Sequence, residues 1–293
     1  MIALFPPLSL TPPTYTSSMT VSLPKIAILG AGSMGGAILS GLLAPGVDTA
    51  GIAVTNRTEA KAAALRQEGV VSLALESDPT ATATALDGAK IVLIGVKPAM
   101  VADLLRGIRP SLAPDALVVS VAAGVTIATM QELVPNVVFR SMPNTPALVG
   151  LGVTGVAVGS RAAASDTALV RSMFETVGAV IELPESQIDA LSTISGSGPA
   201  YVFYLIEQLT RAARNLGFDE AQSRLMVEQT FRGASELLAV SDADPAELRR
   251  RVTSPHGTTE RAIEVLESAG LTELFDRAAA AALGRAAEIA RGA

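Results

Sequence analysis

Lys25-Ile26-Ala27-Ile28-Leu29-Gly30-Ala31-Gly32-Ser33-Met34-Gly35 joins a short apolar run to a glycine-rich turn. The apolar run predicts a strand that is buried on both faces. The glycines at 30, 32 and 35 have the spacing that lets a backbone approach a pyrophosphate and directs helix N–H groups at it. Because a strand precedes this turn and a helix follows, a dinucleotide site is favoured over a plain tight turn. Its candidate residues are Gly30, Ala31, Gly32, Ser33, Met34 and Gly35.

Further apolar runs follow this first strand as far as Pro184, separated by alanine-rich helical stretches. Their Val, Ile and Leu content is nearly continuous, as strands of a parallel sheet require. The alternation predicts a mostly parallel, doubly wound α/β sheet of the Rossmann type. The runs are GIAVTNR, KIVLIGV, ALVVSVA, NVVFRSM, GVTGVAVG and GAVIELP.

Helical periodicity replaces the strands after Gln187 and predicts an all-helical second domain. Pro199 stands where the first turn of a helix tolerates proline, and Asp244–Pro245 predicts another helix start. The apolar faces of these helices indicate either a dimer interface or the domain's own core. We therefore divide the chain into a flexible extension (1–23), a nucleotide domain (24–186) and a helical domain (187–293). The faces include Tyr201, Tyr204, Leu205, Leu209, Ala212 and Leu216, then Met226, Thr230, Gly233, Leu237 and Val240, and finally Phe275, Ala279, Ala282, Ala286 and Ile289.

Composition excludes several classes of function. The net charge of −6 argues against a nucleic-acid partner, and the absence of cysteine excludes disulfides and zinc–thiolate sites. We expect no metal site, no membrane span and a cytoplasmic protein. The stretch before Pro24 has four prolines and no basic residue, which is unlike a signal peptide. A disordered arm, or an upstream start ahead of Met19, is the expected explanation.

The end of the second predicted strand indicates which dinucleotide binds. A site specific for NAD places a carboxylate there, whereas this chain has Asn56-Arg57-Thr58. Arg57 can bind a 2′-phosphate through two hydrogen bonds, so the sequence predicts NADP(H), with NAD(H) used less well. A solvated surface arginine is the alternative. Further cofactor contacts are expected at strand ends along the same edge, at Val96, Lys97, Pro98, Ala122 and Ala123.

Seven motifs, in this order along the chain, resemble those of the pyrroline-5-carboxylate reductase family. They are GAGSMGGAI, NRT, VKP, SVAAGVTI, RSMPNTPALVG, ISGSGPAYVF and VTSPHGTT, and the resemblance runs from about Lys25 to Leu271. It implies NADPH-dependent reduction of a cyclic imino acid, 1-pyrroline-5-carboxylate, to L-proline. It also implies a homodimer formed through the helical domain, which in this family can assemble into decamers.

The resemblance assigns roles to residues near the reaction. Asn144, with Met142 and Pro143, is expected near the nicotinamide. Ser254, Gly257, Thr258 and Thr259 are expected to bind the substrate, with Thr259 the catalytic residue that touches the imine nitrogen. The turn before a helical run starting near Glu260 also suits an anion, because successive N–H groups can converge there. His256 departs from the family, where glycine is common, and puts the backbone conformation of this loop in question.

Two other functions are compatible with parts of this pattern. A β-hydroxyacid dehydrogenase begins similarly but uses a lysine on the first interdomain helix, and this chain has no lysine after Lys97. A non-catalytic NADP(H)-sensing protein could share the fold. A sensor, however, has no need of the hydroxyl-rich loop from Ser254 to Thr259.

Overall fold

The structure, a computed structural model, describes residues 21–290. The expectation of a disordered arm or an upstream start falls almost wholly on residues 1–20, outside the described part. Residues 21–23, which the sequence analysis assigned to the extension, form a short strand that pairs in parallel with residues 47–49.

Eight strands form the central sheet and confirm the predicted α/β architecture. Every neighbouring pair is parallel except β8 with β9. The sheet order is β10-β9-β8-β7-β6-β2-β4-β5, so the chain reverses direction across the sheet between β2 and β6. This reversal is the switch point beside which open α/β sheets bind ligands. The strands are β1 (Val21–Leu23), β2 (Ile26–Leu29), β3 (Val47–Thr49), β4 (Ile52–Asn56), β5 (Val70–Ala74), β6 (Ile91–Ile94), β7 (Leu117–Ser120), β8 (Val137–Met142), β9 (Gly152–Val158) and β10 (Gly178–Glu182).

Apolar side chains are buried on both faces of this sheet. On β2, Ile26 and Ile28 join one hydrophobic cluster, whereas Ala27 and Leu29 join the other. Side chains alternate between faces along a strand, so a strand buried on both sides needs apolar residues at every position. This requirement explains why the central strands could be recognised as continuous apolar runs.

Helices cover the sheet and make up most of the chain after Gln187. The start predicted at Asp244 is confirmed, since its carboxylate accepts the N–H of Glu247 at 2.8 Å. The helices are α1 (Ser33–Leu42), α2 (Glu59–Ala63), α3 (Ala81–Leu86), α4 (Pro98–Ile108), α5 (Ile127–Leu133), α6 (Ala164–Glu175), α7 (Ile188–Leu191), α8 (Gly198–Asn215), α9 (Glu220–Ala239), α10 (Pro245–Arg251), α11 (Thr258–Ser268) and α12 (Leu271–Ala290). A π-helical turn, Ser192–Gly196, separates α7 from α8.

One predicted boundary needs correction. The helix expected to begin near Glu260 begins at Thr258, and Gly257 is its N-cap residue. Thr258 and Thr259 are therefore the first two helical residues. Their backbone N–H groups belong to the first turn, where a helix has no internal partners for them.

The chain divides into two compact units between Pro199 and Ala200. The end of α12, from Arg277, is grouped with the unit that precedes Ala200. Within residues 200–276, only Ser223 and Val227 are buried. In the part of the chain that the structure describes, no helix combines the length and the apolar character that a membrane crossing requires.

Candidate functional site

Glycines at the β2–α1 turn allow the backbone to pass close to the end of β6. Gly30 has a φ of +91°, and a Cβ there would lie 2.8 Å from Cγ1 of Val96. A Cβ on Gly35 would lie 2.9 Å from the carbonyl oxygen of Gly30. A Cβ on Gly32, in contrast, would meet no atom within 4 Å among the described residues. Gly30 and Gly35 are therefore required by packing, whereas Gly32 leaves open space beside the turn.

The N-terminus of α1 faces this space without a competing anion. Gly32 is the N-cap, and its lack of a side chain leaves the first turn uncapped. In the described structure no acidic residue lies in that turn. The first N–H groups of the helix, those of Ser33 and Met34, are thus available to a phosphate, which the helix dipole would also attract.

A cleft of about 360 Å³ lies at this edge of the sheet. It brings together seven of the residues predicted to bind the cofactor. The others, Ala31, Ser33, Met34, Gly35, Pro98, Ala122, Ala123 and Asn144, are not in its lining. The seven are Gly30, Gly32, Asn56, Arg57, Thr58, Val96 and Lys97.

Several residues that line the cleft were not predicted from the sequence. Lys61, Leu75, Thr82, Gly95 and Met100 all contribute to its lining. Leu75 and Met100 are exposed apolar side chains, which suit contact with a flat base. They lie on a loop and a helix of no distinctive motif, so only the tertiary structure could identify them.

The lining of the cleft includes a group of hydrogen-bond donors. Asn56 is 5% exposed, and its amide nitrogen is buried without a hydrogen-bond partner in the described structure. Such an unpaired donor is costly unless a ligand satisfies it. Arg57, the next residue, is exposed and makes no ion pair with any described residue. An unpaired amide beside a free guanidinium fits a 2′-phosphate, so the residues present fit NADP(H).

The remaining predicted cofactor residues continue along the same edge of the sheet. Pro98 is the first residue of α4 after β6, Ala122 follows β7, and Asn144 follows β8. β4, β2, β6, β7 and β8 are successive neighbours, so at strand spacing the row spans about 19 Å. The predicted cofactor residues thus form a row along one edge of the sheet, with Arg57 at one end and Asn144 at the other.

Asn144 has partners within the protein. Its Oδ1 accepts the N–H of Val153 at 2.8 Å, and its Nδ2 donates to the carbonyl of Ser195 at 2.9 Å. Ser195 belongs to the π-helical turn. The Asn144 side chain, 7% exposed, therefore ties the start of β9 to that turn.

A second polar connection joins β8 to α7. Arg140 of β8 is 3% exposed and pairs with Asp189 of α7; Glu185 lies 3.6 Å away. The Glu185 carboxylate also accepts the N–H of Ile127, at the start of α5, at 2.7 Å. A buried guanidinium requires such partners, and this one fixes α7 against the sheet.

The predicted substrate loop follows α10 in the helical unit. In α10, hydrogen bonds from Arg250 and Arg251 lower the pKa of Glu247 to about 2. The N–H of Gly257 donates to the carbonyl of Ser254 at 3.0 Å, which closes a turn around Pro255 and His256.

His256 answers the question that the sequence raised about this loop. Its φ is +59°, and among the described residues it is the only non-glycine with a positive value. Proline followed by a left-handed residue is the arrangement of a type II turn, which favours glycine at the second central position. The N–H of His256 donates to Glu260 at 2.8 Å, so the turn is fastened to the first turn of α11.

Hydroxyl groups of this loop are free for a ligand. In the described structure, the side chains of Ser254, Thr258 and Thr259 accept and donate no hydrogen bond. Thr259 is half-buried and the other two are exposed. Gly257, as the N-cap, has no side chain to occupy the N–H groups of α11. Free hydroxyls and free N–H groups at a helix start can together bind a small carboxylate.

Two family models match different parts of the chain. Residues 185–289 match the model described as pyrroline-5-carboxylate reductase dimerisation. Residues 25–124 match the model described as NADP oxidoreductase, coenzyme F420-dependent. The first match covers the helical region and the second covers the strands that form the cleft.

Relatives of known name resemble the chain over nearly its whole length. A pyrroline-5-carboxylate reductase of Pseudomonas aeruginosa is 37% identical over 92% of this chain and 98% of its own. One of Corynebacterium melassecola is 38% identical over 91% of this chain and 98% of its own.

Two solved structures also resemble the chain over most of its length. A pyrroline-5-carboxylate reductase of Coxiella burnetii superposes with a TM-score of 0.82 at 35% identity, covering 90% of this chain and 97% of that one. A Plasmodium falciparum pyrroline carboxylate reductase with NADP bound gives a TM-score of 0.75 at 26% identity, covering 89% and 96%.

Proposed function

Because the chain belongs to the pyrroline-5-carboxylate reductase family, we propose that it reduces 1-pyrroline-5-carboxylate to L-proline with NADPH, the last step of proline biosynthesis. The observation that carries the cofactor choice is the buried, unpaired amide of Asn56 beside the free Arg57. NADH, which has no 2′-phosphate, leaves both groups without a partner and is used less well.

Reduction of a cyclic imine adds a hydride to the carbon of the C=N bond. NADPH supplies that hydride when bound. The protonated nitrogen becomes a secondary amine and needs no strong acid, because the protonated imine is already electrophilic. The chain's own task is therefore to hold the substrate in position and to complement its charges.

The loop before α11 performs this task in our proposal. The N–H groups of Thr258 and Thr259, with the hydroxyl of Ser254, bind the substrate carboxylate. Gly257 leaves room for it by having no side chain. The hydroxyl of Thr259 contacts the imine nitrogen and orients the ring. The free state of these hydroxyls and the uncapped helix start support the assignment.

The cofactor contacts extend along the sheet edge in the order of the strand ends. Asn56, Arg57 and Thr58 would hold the 2′-phosphate, and the start of α1 would hold the pyrophosphate. The remaining contacts follow β6, β7 and β8. They are Gly30, Ala31, Gly32, Ser33, Met34 and Gly35 for the pyrophosphate, and Val96, Lys97, Pro98, Ala122, Ala123 and Asn144 toward the nicotinamide.

We extend the proposal to domains and assembly. Residues 24–186 bind NADP(H), and residues 187–293 bind substrate and form a cytoplasmic homodimer, with a decamer built from such dimers as the larger assembly. The near absence of buried residues between 200 and 276 supports dimerisation, because a helical domain needs a core.

Turnover of the purified protein tests the function directly. With 1-pyrroline-5-carboxylate, we expect NADPH oxidation with equimolar proline formation, followed by absorbance and chromatography. The kcat/KM should be higher with NADPH than with NADH. NADPH oxidation without proline, or no oxidation at all, would contradict the proposal.

A further inference from the structure

Besides Arg57 and Lys97, a third cation, Lys61, lines the cleft. It lies on α2, four residues after Arg57, and its side chain is exposed. The lining of the cleft also includes Asn56 and Thr58. Between residues 56 and 61, the lining of the cleft therefore contains two cations, a hydroxyl and the unpaired amide.

Two carboxylates at the start of α2 are engaged elsewhere. Glu59, also on α2, pairs with Arg66 at 2.6 Å. Glu76 accepts the backbone N–H of Glu59 at 2.8 Å. Among the described residues, no carboxylate forms an ion pair with Arg57 or Lys61. Both cations are thus available to pair with a ligand.

The position of Glu76 also limits how an anion can bind here. Its carboxylate occupies the N-terminus of α2, where a phosphate could otherwise accept backbone N–H groups. An anion in this part of the cleft must therefore be held by side chains. A phosphate monoester carries a charge of nearly −2 at neutral pH, which one guanidinium leaves half neutralised.

We propose that Lys61 is a specificity-determining residue, the second cation that binds the 2′-phosphate of NADPH together with Arg57. The inference rests on the proposed cofactor choice and deepens it. Arg57 and Asn56 provide directed hydrogen bonds, and the flexible lysine provides a point charge. Lys61 thus contributes to the preference for NADPH over NADH without contacting the reacting atoms.

Binding of cofactor fragments tests this role without relying on turnover. Calorimetry on the full-length protein compares adenosine 2′,5′-bisphosphate with 5′-AMP, which lacks the 2′-phosphate. For Lys61→Gln we expect about 5- to 10-fold weaker binding of the bisphosphate, in the range of one partly exposed charge contact. Binding of 5′-AMP should not change. Lys61→Arg should retain most of the affinity for the bisphosphate.

Lys90→Gln is the matched control for loss of one positive charge. Lys90 lies before β6, at the opposite end of that strand from the cleft, and pairs with Asp115 at 3.0 Å. It should leave both affinities unchanged, whereas Arg57→Ala should weaken the bisphosphate alone.

Three results separate the possible failures. If Lys61→Gln weakens the binding of both fragments equally, or of neither, Lys61 does not recognise the 2′-phosphate and the inference is wrong. If the wild-type protein binds both fragments equally well, the choice of NADPH is wrong as well. A wild-type protein that makes no proline overturns the proposed reaction, but the effect of Lys61→Gln on the two fragments would still stand.

Discussion

At His256 the backbone adopts a conformation that a side chain disfavours. The left-handed region costs a non-glycine residue about 1–2 kcal/mol relative to the right-handed one. Glycine pays no such cost in the folded loop but loses more entropy on folding, by about 0.4–1 kcal/mol. The family's usual glycine is therefore explained by the turn geometry rather than by chemistry at this position.

His256→Gly should raise the free energy of unfolding by up to about 1 kcal/mol, and should not lower it, because strain is relieved. Activity and its pH dependence should stay near those of the wild type, since the imidazole has no role in our mechanism. Thermal denaturation and a pH–rate profile check both points. His256→Ala, which keeps the Cβ, should not gain stability. A large loss of kcat in His256→Gly would move the chemistry from Thr259 to His256.

Thr259 differs from His256 in having a free hydroxyl at a helix start. Thr259→Ala should lower kcat about 10-fold or more, since hydrogen bonds to charged groups contribute about 1.5–3 kcal/mol. The Kd for NADPH, measured by fluorescence, should barely change, because the proposed cofactor contacts all lie in residues 30–144. The melting temperature should also hold, because no described group loses a hydrogen bond.

Thr259→Ser, which retains the hydroxyl, is the matched control and should recover much of the rate. If Thr259→Ala is fully active, or loses NADPH binding to the same extent as kcat, Thr259 is not the residue that orients the imine.

At the scale of elements, the side chain of Asn144 links the start of β9 to the π-helical turn. Asn144→Ala would leave the Val153 N–H and the Ser195 carbonyl without their partner. Each buried unpaired group costs about 1–3 kcal/mol, so we expect a clear fall in the denaturation midpoint. Asn144→Asp keeps the acceptor for Val153 and loses the donor, so it should fall between alanine and wild type.

The same variants test the predicted cofactor role of Asn144. If the side chain also contacts the nicotinamide, NADPH binding should weaken in both variants, whereas 5′-AMP binding should not change. Unchanged stability in Asn144→Ala would mean that the two hydrogen bonds contribute little. Unchanged NADPH affinity would remove Asn144 from the cofactor site.

The central strands that the sequence predicted correctly have a uniform environment. Central strands such as β6 are buried throughout, and their apolar runs were recognised. β5 was missed because it is an edge strand with exposed Val71 and polar Ser72, so it lacks a continuous apolar run. Motif residues such as Gly30 and Arg57 could be found from spacing. Lys61 could not, because its place beside Arg57 depends on how α2 packs.

At the scale of the whole molecule, the helical domain has almost no core of its own among the described residues, since only Ser223 and Val227 are buried between 200 and 276. The sequence left open whether its apolar faces form that core or an interface. Phe203 is 66% exposed, Tyr204 60% and Leu225 63%, and none of the residues of α8 is buried. Apolar surface on this scale is typical of an interface. The interpretation as an interface is therefore favoured, although no sequence pattern could have decided it.

Gly233 of α9 provides the test of this assembly. A Cβ at Gly233 would meet no atom within 4 Å in the described chain, so the start of a side chain there has open space within one subunit. If α9 packs against a second copy, Gly233→Leu should overpack that contact, at a cost of about 1–3 kcal/mol per substituted site. Light scattering over a dilution series should then show a dimer for the wild type and a shift toward smaller species for the variant.

Gly107→Leu is the matched control, because Gly107 is also exposed on a helix, α4, and no described atom lies within 4 Å of its Cβ position. It makes the same change in composition and in helix propensity, which favours leucine over glycine by roughly 0.8 kcal/mol. The size of the Gly107→Leu protein should therefore match that of the wild type. A stable, active wild-type monomer at dilute concentration would contradict an obligate dimer. A Gly233→Leu protein that remains as large as the wild type would place the interface on another face of the helical domain.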